Sequence, residues 1–169
     1  QYCSSLTSFD VPESVVSIRD NAFQGCAGLT YFDIPATVAS IGASAFEDCT
    51  GLFSLRFESG SEISDIAART FCGCTGLLAI NLPESVTSIG ESAFQDCSAL
   101  TDLHLSQAVN SVGNRAFYGC LSLRTVRVDN PEPPVAYANT FSVDTYLNAT
   151  LSVPSGSQEA YNMAECWYN

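Results

Sequence analysis

Lysine is absent from this sequence: all six basic residues are arginine (Arg19, Arg56, Arg69, Arg115, Arg124 and Arg127), set against 18 acidic groups. That absence excludes a Schiff-base lysine and a phosphate-loop lysine. With a formal net charge of −12, it also argues against nucleic-acid binding, because affinity for a phosphate backbone comes mainly from clustered Lys and Arg. Charge of either sign is scarce, 14% of residues, so the polar surface must be built from Ser, Thr, Asn, Gln and Gly. The acid excess reads first as a solubility feature, since net charge governs solubility and association rather than fold. No run approaches ~18 apolar residues, which excludes a membrane-spanning helix. Gln1-Tyr2-Cys3 lacks the charged start and apolar run of a signal peptide. No Gly-rich phosphate loop, HExxH or GxSxG motif occurs, and no cofactor is expected.

What is present is a repeat. Apolar residues are 46% of the 169 positions, enough for one continuous core. Cys3, Cys26, Cys49, Cys74, Cys97 and Cys120 follow one another at intervals of 23, 23, 25, 23 and 23. Such self-similarity sets the fold before local propensity does. Three residues after each cysteine stands Leu6, Leu29, Leu52, Leu77, Leu100 or Leu123. Two alternating apolar positions follow: Phe9/Val11, Phe32/Ile34, Leu55/Phe57, Ile80/Leu82, Leu103/Leu105 and Val126/Val128. Three units then carry Pro12, Pro35 and Pro83, and five carry an apolar pair: Val15/Ile18, Val38/Ile41, Ile63/Ile66, Val86/Ile89 and Val109/Val112. Phe23, Phe46, Phe71, Phe94 and Phe117 close the units, each after Ala except where Thr70 replaces it.

The period-2 alternation reads as a strand with one face buried. The proline that follows has no N–H to offer and stops the ladder. The Val-x-x-Ile segment makes a second short strand. Gly42, Gly90 and Gly113 then permit a turn with positive φ, and Ala-Phe-x-x-Cys suits a single helical turn that drops Phe and Cys into the core. One such coil cannot bury its apolar side alone, so stacking must supply the missing surface. At the ~4.8 Å strand spacing, five full coils span roughly 25 Å. The third unit replaces the proline with Glu58-Ser59-Gly60-Ser61 and should bulge as a loop; the fifth has Ser106 there.

These residues resemble the BspA-type, or Treponema pallidum-type, leucine-rich repeat, which reads Leu-x-x-Leu-x-Leu-Pro-x-x-Val-x-x-Ile-Gly-x-x-Ala-Phe-x-x-Cys. The unit Leu77 to Cys97 matches nearly every position. The resemblance covers residues 3 to about 128. It implies a mainly β solenoid: a right-handed leucine-rich repeat superhelix of ~23-residue coils, built from short strands and single helical turns, with a C-terminal cap containing a short helix. It also implies an exported protein of the bacterial cell surface, of a kind found in Bacteroides relatives and some protists, adhering to host or bacterial partners.

The organisation expected is five full coils plus the strand of a sixth over 1–128, then a cap over 129–169. In the cap, Asp129-Asn130-Pro131-Glu132-Pro133-Pro134 is extended and turn-rich, with an apolar stretch around Ala138 and Phe141. Ala149-Thr150-Leu151-Ser152-Val153 reads as a last strand ended by Pro154. Ser155-Gly156-Ser157 offers N-cap side chains to a terminal helix presenting Ala160, Ala164 and Trp167 on one face. The chain opens in mid-pattern at Gln1, which reads as a fragment with further repeats upstream, and ends at Asn169 where relatives run on. The export signal is then expected outside this sequence.

Eight cysteines in an exported protein would suggest four disulfides. The phase argues instead for a buried thiol ladder of Cys3, Cys26, Cys49, Cys74, Cys97 and Cys120, stacked against the core phenylalanines. Parallel side chains on neighbouring coils do not favour the near-perpendicular S–S torsion. Cys72-Gly73-Cys74 has no second cluster to complete a zinc site; Cys72 reads as a replaced polar turn residue, and Cys166 as cap packing. The single histidine, His104, shares a face with Asp102 but has no identifiable orienting partner for a triad. Paired carboxylates for glycoside hydrolysis are not singled out. Asn148-Ala149-Thr150 is a sequon that carries meaning only in a eukaryotic secretory route.

If the apolar residues of each strand point inward, the outward columns are Ser8/Asp10, Tyr31/Asp33, Ser54/Arg56, Ala79/Asn81, Asp102/His104 and Thr125/Arg127. The core positions repeat while this ribbon, on the expected concave sheet, varies freely. Tyr31, Asp33, Arg56, Asn81, Asp102, His104 and Arg127 are therefore the expected contact residues for a protein partner, Tyr and Arg being frequent interface anchors. The expectation is a monomeric, non-catalytic binding module that takes no nucleic acid and does not itself insert into a membrane. The alternatives are a structural spacer in a larger exported protein and, third, a carbohydrate-acting or carbohydrate-binding protein.

Overall fold

Two kinds of strand alternate along the coils because two stretches of each unit alternate in polarity. In a computed structural model describing residues 2–167, they are β1 (Ser17–Ile18), β2 (Tyr31–Ile34), β3 (Ser40–Ile41), β4 (Ser54–Phe57), β5 (Asp65–Ile66), β6 (Ala79–Ile80), β7 (Ser88–Ile89), β8 (Asp102–Leu105), β9 (Ser111–Val112) and β10 (Thr125–Val128). After them come α1 (Val143–Asn148), β11 (Thr150–Ser152) and α2 (Gln158–Met163). Gln1, Tyr168 and Asn169 lie outside the described residues, and so do the two ends to which the fragment expectation refers.

Every pairing is parallel and links equivalent residues one coil apart, as in Phe32 with Leu55 and Leu103 with Val126. The even-numbered strands form one flank and the odd-numbered strands β1 to β9 the other, so the chain is a parallel β-solenoid of about six turns, with β11 continuing the even-strand flank beyond β10. Between the flanks, Leu29, Leu52, Leu77, Leu100 and Leu123 are wholly buried, as are Phe46, Phe71, Phe94 and Phe117. The phenylalanines stack in one file from Phe23 to Phe117, centroids 5.2–5.4 Å apart. Cys26, Cys49, Cys74, Cys97 and Cys120 are buried free thiols. Four of them donate to a phenylalanine carbonyl of the preceding coil: Cys49 to Phe23, Cys74 to Phe46, Cys97 to Phe71 and Cys120 to Phe94, at 3.1–3.3 Å. Cys72, outside the ladder phase, is buried as well. Cys3 and Phe23 depart from the expected core ladder. Cys3 is exposed and Phe23 only half-buried, because the described residues include no complete coil before the first one.

The third side of each coil is not the helical turn that Ala-Phe-x-x-Cys suggests. It is a chain of tight i→i−3 turns whose alternate N–H groups reach across to the next coil: Ser44 to Ala68 O at 3.0 Å, Phe46 to Thr70 O and Asp48 to Cys72 O at 2.8 Å. Two left-handed residues per coil, here Ser44 (φ 54°) and Asp48 (φ 58°), turn the chain out of the helical course. Gly42, Gly90 and Gly113 do not supply the positive φ expected of them. They are needed for space: a Cβ on Gly90 would stand 2.7 Å from the backbone N of Ala68, one coil below. The left-handed residue comes two positions later, at Ser44, Ser92 and Arg115.

Stacking outlasts the sequence pattern. Past Val128, Val135 bridges to Ser111 and Phe141 to Phe117. Phe141 continues the ring file at 5.6 Å, and Thr140 takes the position that Thr70 fills; the Thr140 hydroxyl donates to Gly113 O at 3.2 Å and that of Thr70 to Ala67 O at 2.8 Å. Ala138, by contrast, is exposed. The terminal helix is shorter than its expected face. Tyr161 is its buried residue, Ala160 is exposed, and Ala164 and Trp167 lie beyond its end. Ser157 occupies the N-cap without a side-chain capping bond. Instead the cap is pinned by Tyr161 Oη donating to Asn130 O and Trp167 Nε1 to Pro134 O, both at 2.7 Å. Cys166 is buried there.

Candidate binding ribbon

The even-numbered strands carry their inward residues into the core, and pleating turns the residues between them outward. The repeat sets these in two columns, Tyr31, Ser54, Ala79, Asp102 and Thr125 in one and Asp33, Arg56, Asn81, His104 and Arg127 in the other. Strand register aligns them in two blocks: Tyr31 with Ser54 and Asp33 with Arg56, then Ala79, Asp102 and Thr125, and His104 with Arg127. All are exposed except His104, which is half-buried. Tyr31 keeps 51% of its surface accessible, too much for a packing role. The columns run one rung further than the sequence pattern shows: Thr150 pairs with Thr125 and Ser152 with Arg127. Between Asn81, Asp102, His104, Arg127 and Thr150 lies an open depression of about 410 Å³.

The charges of the ribbon are knotted together. Arg56 holds Asp33 in a two-pronged pair, Nε to Oδ1 at 3.1 Å and Nη2 to Oδ2 at 2.7 Å, and that guanidinium holds the Asp33 carboxyl below its ordinary value. His104 does not pair with Asp102. Its Nε2 lies 2.7 Å from Asp129 Oδ2, while Arg127 Nε donates to Asp129 Oδ1 at 2.8 Å. The bond from His104, then that from Arg127, lowers the Asp129 carboxyl. Asp102 instead accepts from the hydroxyls of Thr125 and Thr101, and these lower its value too. Sequence reasoning missed Asp129, Thr150 and Ser152. Asp129 follows the last alternating residue, and Thr150 and Ser152 belong to β11, which has no unit pattern.

Chemically the ribbon offers paired charges, hydroxyls, an amide and one tyrosine on an open sheet, which suits contact with another surface. Among the described residues no cluster of His, Cys, Asp and Glu could hold a metal ion, and no helix is long and apolar enough to cross a membrane. A small space of about 30 Å³ among Phe141, Leu151, Cys166 and Trp167 has room for about one water molecule.

The fold and the repeat have relatives. The profile of the BspA type leucine rich repeat region matches in six copies, over residues 1–124 and 64–162. The T. pallidum leucine-rich repeat protein is 31% identical over 72% of this chain, with a TM-score of 0.68. A leucine rich cell surface protein of Faecalibacterium prausnitzii is 32% identical over 72% of the chain, TM-score 0.68. A leucine-rich repeat protein of Bacteroides ovatus is 27% identical over 83%, TM-score 0.62. The chain spans only 58%, 32% and 41% of the lengths of these three. No curated protein is similar enough to match it. With the repeat in phase from Cys3 to Val128, its coils stacked in register and the profile matched along most of its length, the chain belongs to the BspA-type leucine-rich repeat family.

Proposed function

We propose that this chain is a non-catalytic, protein-binding module displayed outside a bacterial cell, and that the outward ribbon is its contact surface. The observation that carries the reading is the contrast between faces. Inward positions repeat from coil to coil under packing constraint. The outward columns vary along the stack and lie at the surface, with Tyr31, Arg56, His104 and Arg127 among carboxylates. A surface free of packing demands that still carries Tyr and Arg suits partner recognition. Display outside the cell is supported by the likeness to the F. prausnitzii protein, which is described as a cell surface protein. The absence of catalysis is supported by the setting of His104, which leans on a half-exposed carboxylate on an open sheet with no hydroxyl bonded to its other ring nitrogen among the described residues.

The test is capture of a partner from host-matrix or partner-cell extracts by the immobilised chain, with the Tyr31→Ala/Arg56→Ala/His104→Ala variant as control. Capture should survive physiological salt and be abolished in the variant, while its circular dichroism and Tm stay near wild type. Equal capture by both proteins would move the site off the ribbon.

One observation favours a second reading, a spacer that holds another domain away from the cell. Asp33 with Arg56, and Asp129 with His104 and Arg127, satisfy each other within the sheet, as a plain solvated face would. Absence of any specific capture by either protein would decide for it.

A further inference from the structure

One position ahead of the even-numbered strands runs a further column, and on most coils it is polar: Thr7, Thr30, Thr101 and Arg124. Thr30 and Thr101 use their hydroxyls within the stack, donating to Thr7 O at 3.3 Å and to Leu78 O at 3.4 Å. Two successive coils carry Phe53 and Leu78 there instead. These are the coils of β4 and β6, which lie side by side without pairing. Phe53 is 59% and Leu78 41% exposed, while Leu52 and Leu77 beneath them already close the core. Stacking therefore does not account for the two exchanges. On the same two coils the outward column has small exposed residues, Ser54 and Ala79, with exposed Tyr31 one rung before Ser54. The outcome is a shallow apolar saddle: Ser54 and Ala79 form its floor, and Tyr31, Phe53 and Leu78 stand around it. The open depression of the ribbon begins at Ala79.

The charges nearest the saddle are matched within the sheet. Asp33 is held by Arg56, and Asp102 accepts from the hydroxyls of Thr101 and Thr125. A charged occupant would lose its water there without gaining a counter-ion, whereas an apolar one loses nothing. Three side chains also fall far short of the ~800 Å² per partner that a stable interface between two copies needs. The saddle therefore suits the middle of a wider contact, where aromatic and aliphatic groups lie desolvated inside a polar surround.

We propose that this saddle is the energetic centre of the ribbon contact, and that it receives an uncharged aromatic or branched aliphatic side chain of a protein partner. The inference rests on the ribbon reading and deepens it: Phe53 and Leu78 join the contact residues, and Arg56, Asn81 and Asp102 form the surround.

The probe is a naive displayed library of random cyclic peptides, selected on the immobilised chain. Enriched peptides should share a Trp, Phe, Leu or Ile at one fixed position, and its replacement by Ala should weaken binding at least about tenfold. Phe53→Thr/Leu78→Thr restores the residue that the column carries at 7, 30 and 101, so Tm should stay near wild type. Affinity for the same peptides should nevertheless fall at least about tenfold. Ala79→Arg, on the exposed floor, should block them equally and serves if the double variant unfolds. Peptides that keep their affinity in these variants but lose it in His104→Ala/Arg127→Ala overturn this inference alone and leave the ribbon reading standing. Peptides indifferent to all of these changes overturn both. A charged residue at the fixed position, or a selection that enriches nothing, also overturns the inference. So does a concentration-dependent dimer of the chain alone that Phe53→Thr/Leu78→Thr abolishes, which would assign the saddle to a second copy.

Discussion

The ladder thiols are small hydrophobes with a directed proton. Each of four sulfurs finds a phenylalanine carbonyl in the preceding coil, 26 residues earlier or, for Cys74, 28, a bond that the smaller alanine would not make. Burial pushes the Cys49 and Cys120 thiols up to about 12, and Cys72 up to about 11. A thiol reagent at neutral pH, which attacks the thiolate, should therefore react quickly with about one group, the exposed Cys3. All eight should react after denaturation without reductant; fewer than about seven would reveal disulfides. Cys97→Ala should lose about 1–2 kcal/mol, from lost burial and a small cavity, whereas Cys3→Ala should stay within about 0.5 kcal/mol. The phase of these cysteines is plain in the sequence. The residues before them carried a signal that periodicity does not score. Gly25, Asp48, Gly73, Asp96 and Gly119 alternate at a left-handed position. Asp48 and Asp96 lean over the next coil, so that a Cβ on Gly73 would fall 2.3 Å from Asp48 Oδ1. The alternation is a contact between coils, and no single unit shows it.

At the scale of the element, the two extra residues of the third unit have consequences beyond their own loop. The loop is exposed at Ser59 and Gly60, with open space around Gly60. On one side of it β4 pairs with β2 but not with β6; on the other β5 pairs with β7 but not with β3. Both flanks therefore break at this unit, and β6 is cut to Ala79–Ile80. Only the third side runs through, by the bonds from Ser44, Phe46 and Asp48 to Ala68, Thr70 and Cys72. Hydrogen exchange should show the seam: amides of β6 should exchange faster than those of β10, which is paired on both sides. Equal protection across β6 and β10 would mean the flank is continuous in solution. The strands were legible because alternation and spacing agree. Helix α1 was not: its Val143 and Leu147 are exposed, and Tyr146 is its one hydrophobic residue packed against the core, edge-on to Phe141 at 5.9 Å.

For the whole molecule the question is what joins the stacks on either side of the seam. A polar clamp does so across three coils: Glu47 accepts from Gln24 Nε2 at 3.2 Å and from the Arg69 guanidinium. Burial tends to raise the Glu47 carboxyl, but bonds from Arg69, Ser44 and Gln24 outweigh it and leave the value below ordinary. A folded-state value below the unfolded one means stability that is fully present above about pH 5 and lost as pH falls through the folded value. Arg69→Met strands a buried carboxylate and should cost about 1–3 kcal/mol at pH 7. That penalty should shrink by pH 3, where a protonated Glu47 no longer needs the cation; urea unfolding at both pH values measures it. An unchanged penalty would show that Arg69 acts through packing alone. The acid excess opposes this trend in the wild type, since self-repulsion relaxes as carboxylates titrate, so the difference between variant and wild type is the informative quantity.

The sequence by itself determined the coil. The 23-residue period, the apolar alternation, the Phe and Cys phases and the outward columns are all properties of one unit repeated, and stacking is the only way such a unit buries its apolar side. Only the tertiary structure decided what depends on two coils at once. Asp129 rather than Asp102 meets His104, glycine at 42, 90 and 113 is required by the coil below, and the file of rings and strands continues through a cap whose sequence has left the pattern. Distances between coils set those contacts, and a pattern read along one chain does not contain them.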